Sequence, residues 1–266
     1  MASILHVSDV HFGPKHVAEL SRAVLDLARC AGPSVVVVSG DLTQRAKPRQ
    51  FREARAWIDA LPAPVVLVPG NHDVPMYRFW ERLLSPFGAW RRHFSPELVR
   101  DQVSPELAVV GLNTAFAWTT KHGRVSRREV AELERRLTAL PETTPRVLVA
   151  HHPLAGGSEL AGEPTARGAE ASLELCRRSG IGLVLAGHLH RGFWLPSPDG
   201  PGGPGPLVAH AGTATSTRGR GGERGRQSLQ WIEVGARGEL RIERRFWNRK
   251  RGEFVTEAVH ERATRP

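Results

Sequence analysis

Five short segments carry residue types that can do metal chemistry: Asp9-Val10-His11, Gly40-Asp41, Gly70-Asn71-His72-Asp73, His151-His152 and Gly187-His188-Leu189-His190. Histidine offers a borderline nitrogen, and aspartate a hard, charged oxygen that can bridge two ions. A donor set of nitrogen and oxygen without cysteine favours Zn, Fe, Mn, Co or Ni over a structural thiolate zinc site. In Asp9-Val10-His11 and His188-Leu189-His190, a spacing of two puts both side chains on one face if the chain is extended there. Gly40, Gly70 and Gly187 permit turns in which the backbone runs close to an ion. Taken singly, each segment is common by chance. Their conjunction is informative, because so many buried Asp and His side chains are costly unless they coordinate something.

The position of each segment supplies the rest of the argument. Short apolar runs rich in Val, Leu and Ile, at Ile4–Val7, Val35–Val38, Val65–Val68, Leu107–Gly111, Val147–Ala150 and Leu183–Ala186, read as strands buried on both faces. Each of the five polar segments directly follows one of these runs. In open α/β sheets, ligands bind beyond the carboxyl ends of the strands. Five strands therefore deliver Asp, His and Asn to one sheet edge.

Helices are expected at about 16–31, 48–61, 126–140 and 166–179, the third opened by Ser126 with Glu129 three residues on. The segment 75–97, rich in aromatics, is expected to pack over the sheet edge near the site. After His190, antiparallel strands are expected at 193–195, 207–210, 229–234 and 240–246. The connections 196–206 and 213–228 read as loops. The chain is expected to form a single domain over 1–256, followed by a polar tail at 257–266.

These segments resemble the blocks of the calcineurin-like metallophosphoesterases: Asp-x-His, Gly-Asp, Gly-Asn-His-Asp, a strand-terminal His and Gly-His-x-His. The resemblance implies an α/β fold, a four-layer α-β-β-α sandwich of two mixed sheets with flanking helices. It also implies a dinuclear metal centre. Asp9, His11 and His190 would hold one divalent ion and Asn71, His151 and His188 a second, with Asp41 bridging both. Of His151 and His152, the pattern favours the first as ligand, leaving His152 a supporting or substrate-side role. Two such ions make a shared hydroxide available for in-line attack on phosphorus. The leaving oxygen then needs a proton. His72 is the candidate acid, with Asp73 expected to orient its ring and raise its pKa.

Other segments are similar to the bacterial class III cyclic nucleotide phosphodiesterases: 70–75, 111–114, 121–126, 151–154 and 211–214. The expected activity is therefore hydrolysis of a small-molecule phosphodiester such as a 3′,5′-cyclic nucleotide. The intact Gly-Asn-His-Asp disfavours the lipid-A-type pyrophosphatases, which carry Arg in place of that His. Related enzymes also cleave glycerophosphodiesters, other diesters and monoesters, and a broad-specificity phosphomonoesterase is one alternative. A nuclease acting on DNA or RNA is another.

That nuclease alternative rests on charge. The formal net charge is +10, and only four of the 37 basic residues are Lys. Arginine spread so evenly needs no nucleic-acid patch, and the dense run 218–226 is the place to look for one. His122 and His210 are expected in loops at the site edge, and Arg191 within reach of a phosphate or base. No apolar stretch reaches the ~18 residues of a membrane helix. The first residues read as a strand rather than a signal peptide, and two cysteines make a disulfide framework improbable, so a cytoplasmic protein is expected. The residues do not specify oligomeric state, and a dimer is compatible with them.

Overall fold

A computed structural model describes residues 1–160 and 162–263. The strands are β1 (Ala2–Val7), β2 (Val35–Val38), β3 (Val65–Leu67), β4 (Gln102–Val103), β5 (Ala108–Gly111), β6 (Arg146–Val149), β7 (Leu183–Ala186), β8 (Phe193–Pro196), β9 (Leu207–His210), β10 (Ser228–Val234), β11 (Leu240–Asn248) and β12 (Glu253–Arg262). The helices are α1 (Ala18–Ala31), α2 (Pro48–Asp59), α3 (Phe79–Leu84), α4 (Gly88–His93), α5 (Arg127–Thr138) and α6 (Ala169–Arg178).

The strands form two six-stranded sheets, ordered β12-β11-β10-β1-β2-β3 and β4-β5-β6-β7-β9-β8. Both are mixed. In the first, β1, β2 and β3 run parallel and β10, β11 and β12 are antiparallel additions. In the second, β5, β6, β7 and β9 run parallel between antiparallel edges β4 and β8.

Side-chain alternation explains why two sheets stack. Val35 and Val37 face the inter-sheet core with Ile4, Val147, Val149, Leu183 and Leu185. Their neighbours Val36 and Val38 face the other way, toward Leu20 and Val24 of α1 and Phe51 and Trp57 of α2. On the far side, Leu148 and Val184 meet Leu133 and Leu137 of α5 and Leu173 of α6. Each central strand thus buries both faces, which is why it reads as an unbroken apolar run. The result is the expected four-layer α-β-β-α sandwich.

The α5 cap forms as its residues suggest. Ser126 Oγ accepts from the Glu129 backbone N–H, and the Glu129 carboxylate accepts from the Ser126 N–H at 2.7 Å.

Three expectations are corrected. Residues 257–262 are not a tail: they belong to β12, which pairs with β11 along its whole length, while 264–266 lie outside the described residues. The strand is an edge, and its mixed Glu, Thr, Val and His pattern hides the alternation. The aromatic segment 75–97 divides rather than packing as a unit. Trp90 and Phe87 are buried in the core beside α2, whereas Tyr77, Phe79 and Trp80 are exposed. His210 lies in no loop; it ends β9 fully buried, with Nδ1 at 3.2 Å from the Gly187 carbonyl.

The run 218–226 is not a uniform basic face. Arg226 pairs with Glu257 at 2.5 Å, and Glu223 inside the run is buried, accepting from Gly192 N–H and Ser228 Oγ.

Candidate metal centre

The five segments converge at the carboxyl ends of β1, β2 and β3 in one sheet and of β6 and β7 in the other, so the expected edge of a single sheet is corrected to the ends of two stacked sheets. Backbone bonds lace the turns together: Asp9 N–H donates to Gly40 O, His11 N–H to Asp41 O, and Gly187 N–H to His151 O. The turns are not extended. Asp9, His11, Asp41, His188 and His190 all have φ between 52° and 71°, and Ala46 is the one other described non-glycine residue with positive φ. The same-face reasoning for Asp-x-His and His-x-His is corrected accordingly: the left-handed conformation, not strand pleating, brings each pair together. Such backbone costs roughly 1 kcal/mol per residue and persists at sites that the surrounding structure over-determines.

Two donor clusters result. In the first, the ligand atoms of Asp9, His11, Asp41 and His190 all lie within 4.8 Å of one another. His190 Nε2 is 3.0 Å from Asp9 Oδ1 and 3.1 Å from His11 Nε2. In the second, Asn71 Oδ1 lies 3.3 Å from His151 Nε2 and 3.1 Å from His188 Nδ1. Asp41 stands between them, with Oδ2 at 3.7 Å from His11 Nε2 and Oδ1 at 3.4 Å from His151 Nε2. The seven residues singled out as ligands all meet here and are buried, and His152 joins the second cluster, its ligand atom within 4.8 Å of those of His151 and His188.

The donors fit divalent ions on the evidence of their own partners. Asp9 Oδ1 and Asp41 Oδ2 are buried without any hydrogen bond, although an orphaned buried carboxylate oxygen is costly. The other oxygens are satisfied: Asp9 Oδ2 accepts from Ser8 Oγ and His188 N–H, and Asp41 Oδ1 from His72 N–H. Carbonyl oxygens can only accept, so Ser39 O fixes the proton of His151 on Nδ1, and Arg218 O does the same for His190. In both rings Nε2 is thereby the nitrogen that faces the cluster.

Electrostatics agree with this geometry. Burial alone would raise the Asp9 and Asp41 carboxyls, but His190 beside Asp9 and His151 beside Asp41 outweigh it and hold both well below the usual range. Burial pushes His11 down to about 4 and His188 to about 3, keeping both imidazoles neutral as ligands. His151 goes up to about 9, because Asp41 more than offsets the effect of burial. A cation seated between these groups would displace that proton.

One role assignment changes. Asp73 does not touch the His72 ring. Its carboxylate accepts from the backbone N–H groups of Leu42, Thr43 and Gly70 and from Thr43 Oγ1, so it ties the β2 and β3 turns together. The His72 ring is instead oriented by Gln44 O, which accepts from Nδ1 at 2.7 Å. His152 is buried beside the second cluster, its Nδ1 at 2.8 Å from Thr114 Oγ1, and its Nε2 is unpartnered. Its ring lies 4.7 Å from that of His188. Arg191 lies over the Phe193 ring at 5.1 Å, and His122 is exposed.

The bracing groups escaped sequence reasoning. Ser39, Gln44 and Arg218 act through their carbonyls, which any residue possesses. Thr114 and Thr213 do have side-chain roles, the latter donating to Asp9 O at 2.7 Å. Both lie in segments whose similarity to the phosphodiesterases was the available signal.

A two-layer β core between helices, with bridged His/Asp/Asn clusters at the strand ends, defines a dinuclear metallohydrolase. The calcineurin-like phosphoesterase family model matches residues 2–192, and the chain belongs to that family. It is therefore a metal-dependent phosphoric ester hydrolase. It is 27% identical over 199 residues to the 3′,5′-cyclic adenosine monophosphate phosphodiesterase of Escherichia coli K12, covering 71% of this chain and 69% of that one. A probable cyclic nucleotide phosphodiesterase of Synechococcus is 26% identical over 201 residues, covering 72% and 74%. A glycerophosphodiester phosphodiesterase of Enterobacter lignolyticus is 24% identical, covering 70% of each.

Among solved structures, a dimetal phosphatase from Danio rerio superposes with a TM-score of 0.65 at 16% identity, covering 96% of this chain and 98% of that one. Yellow lupin purple acid phosphatase gives 0.71 at 13%, this chain spanning 53% of its length. Both show the fold.

Proposed function

We propose that this enzyme hydrolyses small-molecule phosphodiesters, 3′,5′-cyclic nucleotides among them, at a centre of two divalent ions drawn from Mn, Fe, Zn, Co and Ni. The observation that carries the reading is Asp41 placed between two donor clusters, with His72 on the adjoining turn. The names of the bacterial relatives support the diester class. No described helix is long and apolar enough to cross a membrane.

When bound, the ions supply an activated water and neutralise charge on the phosphoryl oxygens. The chain's residues do the rest. Asp9, His11 and His190 would hold one ion and Asn71, His151 and His188 the other, and Asn71 is aimed by its Nδ2–H donating to Thr120 O. His72 donates its Nδ1–H to Gln44 O, which leaves Nε2, with no partner among the described residues, as the nitrogen that can deliver a proton. From there it passes to the leaving oxygen.

The test is hydrolysis of bis(p-nitrophenyl) phosphate and cyclic AMP by metal-stripped protein, before and after restoring Mn²⁺, Fe²⁺, Zn²⁺ or Mg²⁺. Metal-dependent cleavage of both supports the reading. Cleavage of the model diester alone removes the cyclic nucleotide assignment, and no cleavage with any metal removes the phosphodiesterase reading.

A further inference from the structure

A cleft of about 300 Å³ opens beside His72, lined also by Lys15, Arg45, Tyr77 and Arg218. Its three cations stand out in a protein whose surface arginines are commonly paired, as in Arg49–Glu53, Arg55–Asp59 and Arg78–Glu81. Among the described residues, no ion pair involves Lys15, Arg45 or Arg218. The Arg45 guanidinium lies 5.0 Å from the centroid of the exposed Tyr77 ring, a flat wall suited to a sugar or base. Arg218 is half-buried. Burial depresses its guanidinium while Asp41 and Asp9 pull it back up, so it feels the field of the metal carboxylates.

Each cation is tied to the catalytic turns. The Lys15 backbone N–H donates to Gln44 Oε1, Arg45 follows the residue whose carbonyl orients His72, and Arg218 supplies the carbonyl that orients His190. With His72 as the acid of the proposed mechanism, the cleft that it lines is on the leaving side. The scissile phosphate is provided for by the metal centre. Two guanidiniums and an ammonium with no ion pair among the described residues exceed what a neutral leaving group requires.

We infer that the Lys15–Arg45–Arg218 cleft binds a second phosphoryl group on the leaving side of the substrate. This inference rests on the phosphodiesterase reading and narrows its substrate class. The second phosphate can be joined directly, as in a nucleoside diphosphate derivative, or sit on the leaving alcohol. Either way hydrolysis consumes one water. Its oxygen bonds to the scissile phosphorus as the bond to the leaving oxygen breaks. One water proton is released, and the leaving oxygen departs as the anion or takes a proton from His72.

Two arms distinguish the sources: ADP-ribose for the anhydride, and TpTp against TpT for the ester. Bis(p-nitrophenyl) phosphate serves as the reference. At least one phosphorylated substrate is expected to exceed TpT in kcat/KM by about tenfold. That preference is expected to fall about tenfold in Arg45→Ala and Lys15→Ala, mainly through KM, and to recover partly in Arg45→Lys. Calorimetry of AMP binding to the metal-stripped chain reads the cleft without turnover, and weaker binding by Arg45→Ala supports it. No preference in either arm, or a preference and AMP affinity indifferent to both alanine variants, overturns the inference. Failure to cleave the reference diester sinks the phosphodiesterase reading instead, and the AMP titration still decides the cleft.

Discussion

His72 and Asp73 are sequence neighbours with different work to do. With Nδ1 donating to Gln44 O, His72 has Nε2 left for the leaving group, so its value as an acid depends on how badly that group needs a proton. His72→Ala is expected to lower kcat on an alkyl diester by about 100-fold or more, and by much less on bis(p-nitrophenyl) phosphate, whose leaving phenolate is stable unprotonated. Equal losses on both would remove the acid role. Asp73 acts through the turns. Burial, then the neighbouring Asp41, raises its carboxyl to about 7, and four donors converge on it. Asp73→Asn keeps one acceptor oxygen and is expected to lower stability by about 1–3 kcal/mol in a denaturant titration. It should leave the leaving-group dependence of kcat unchanged, and a shift toward the His72→Ala pattern would restore Asp73 as the orienting partner. At this scale the ligand types were legible, because each block is short and contiguous. The braces were not, because Ser39, Gln44 and Arg218 contribute backbone oxygen.

The turns after the strands hold these side chains closer than any substitution with a Cβ permits. A Cβ on Gly70 would overlap Asp41 Oδ1 and its backbone nitrogen, and one on Gly187 would overlap Ser8 Oγ. Gly70→Ala is therefore expected to displace the bridging carboxylate. Metal affinity should fall at least about tenfold by calorimetry, while the β1–β2–β3 pairing survives in circular dichroism. Unchanged affinity would mean that Asp41 does not bridge. The central strands were legible because burial on both faces leaves continuous Val, Leu and Ile. The left-handed turns at Asp9, His11, His188 and His190 were not, since Asp and His carry no compositional mark of positive φ. β12 was missed for the opposite reason: an edge strand tolerates charge, and its polar residues mimic a tail.

Across the molecule, the sheet edge concentrates buried histidine beyond the ligands. His6 sits between Gln230 and Ser39, 2.9 Å from each, and His210 stacks on Phe193. Burial depresses both to about 4. An unfolded histidine titrates near ~6.5, so the unfolded chain takes up protons first as pH falls. The stability contributed by the neutral rings is complete above that value and is lost as pH drops toward about 4, by roughly 3 kcal/mol per ring. Denaturation of the metal-free protein between these limits measures it. Removing either ring with His6→Gln or His210→Gln should flatten the slope, and an unaltered slope would contradict the assignment. The net charge of +10 was legible but uninformative, because its arginines are dispersed and commonly paired.

The central claim is a two-ion centre bridged by Asp41, and counting ions while watching turnover tests it most directly. Metal-stripped protein would be titrated with Mn²⁺ by calorimetry, with bis(p-nitrophenyl) phosphate hydrolysis followed at each point, for wild type and Asp41→Asn. A bridged two-ion centre requires two ions per wild-type chain, activity that completes with the second, and a variant that binds more weakly and turns over little. Full activity at one ion per chain, or an Asp41→Asn variant with unchanged stoichiometry, affinity and rate, would contradict it.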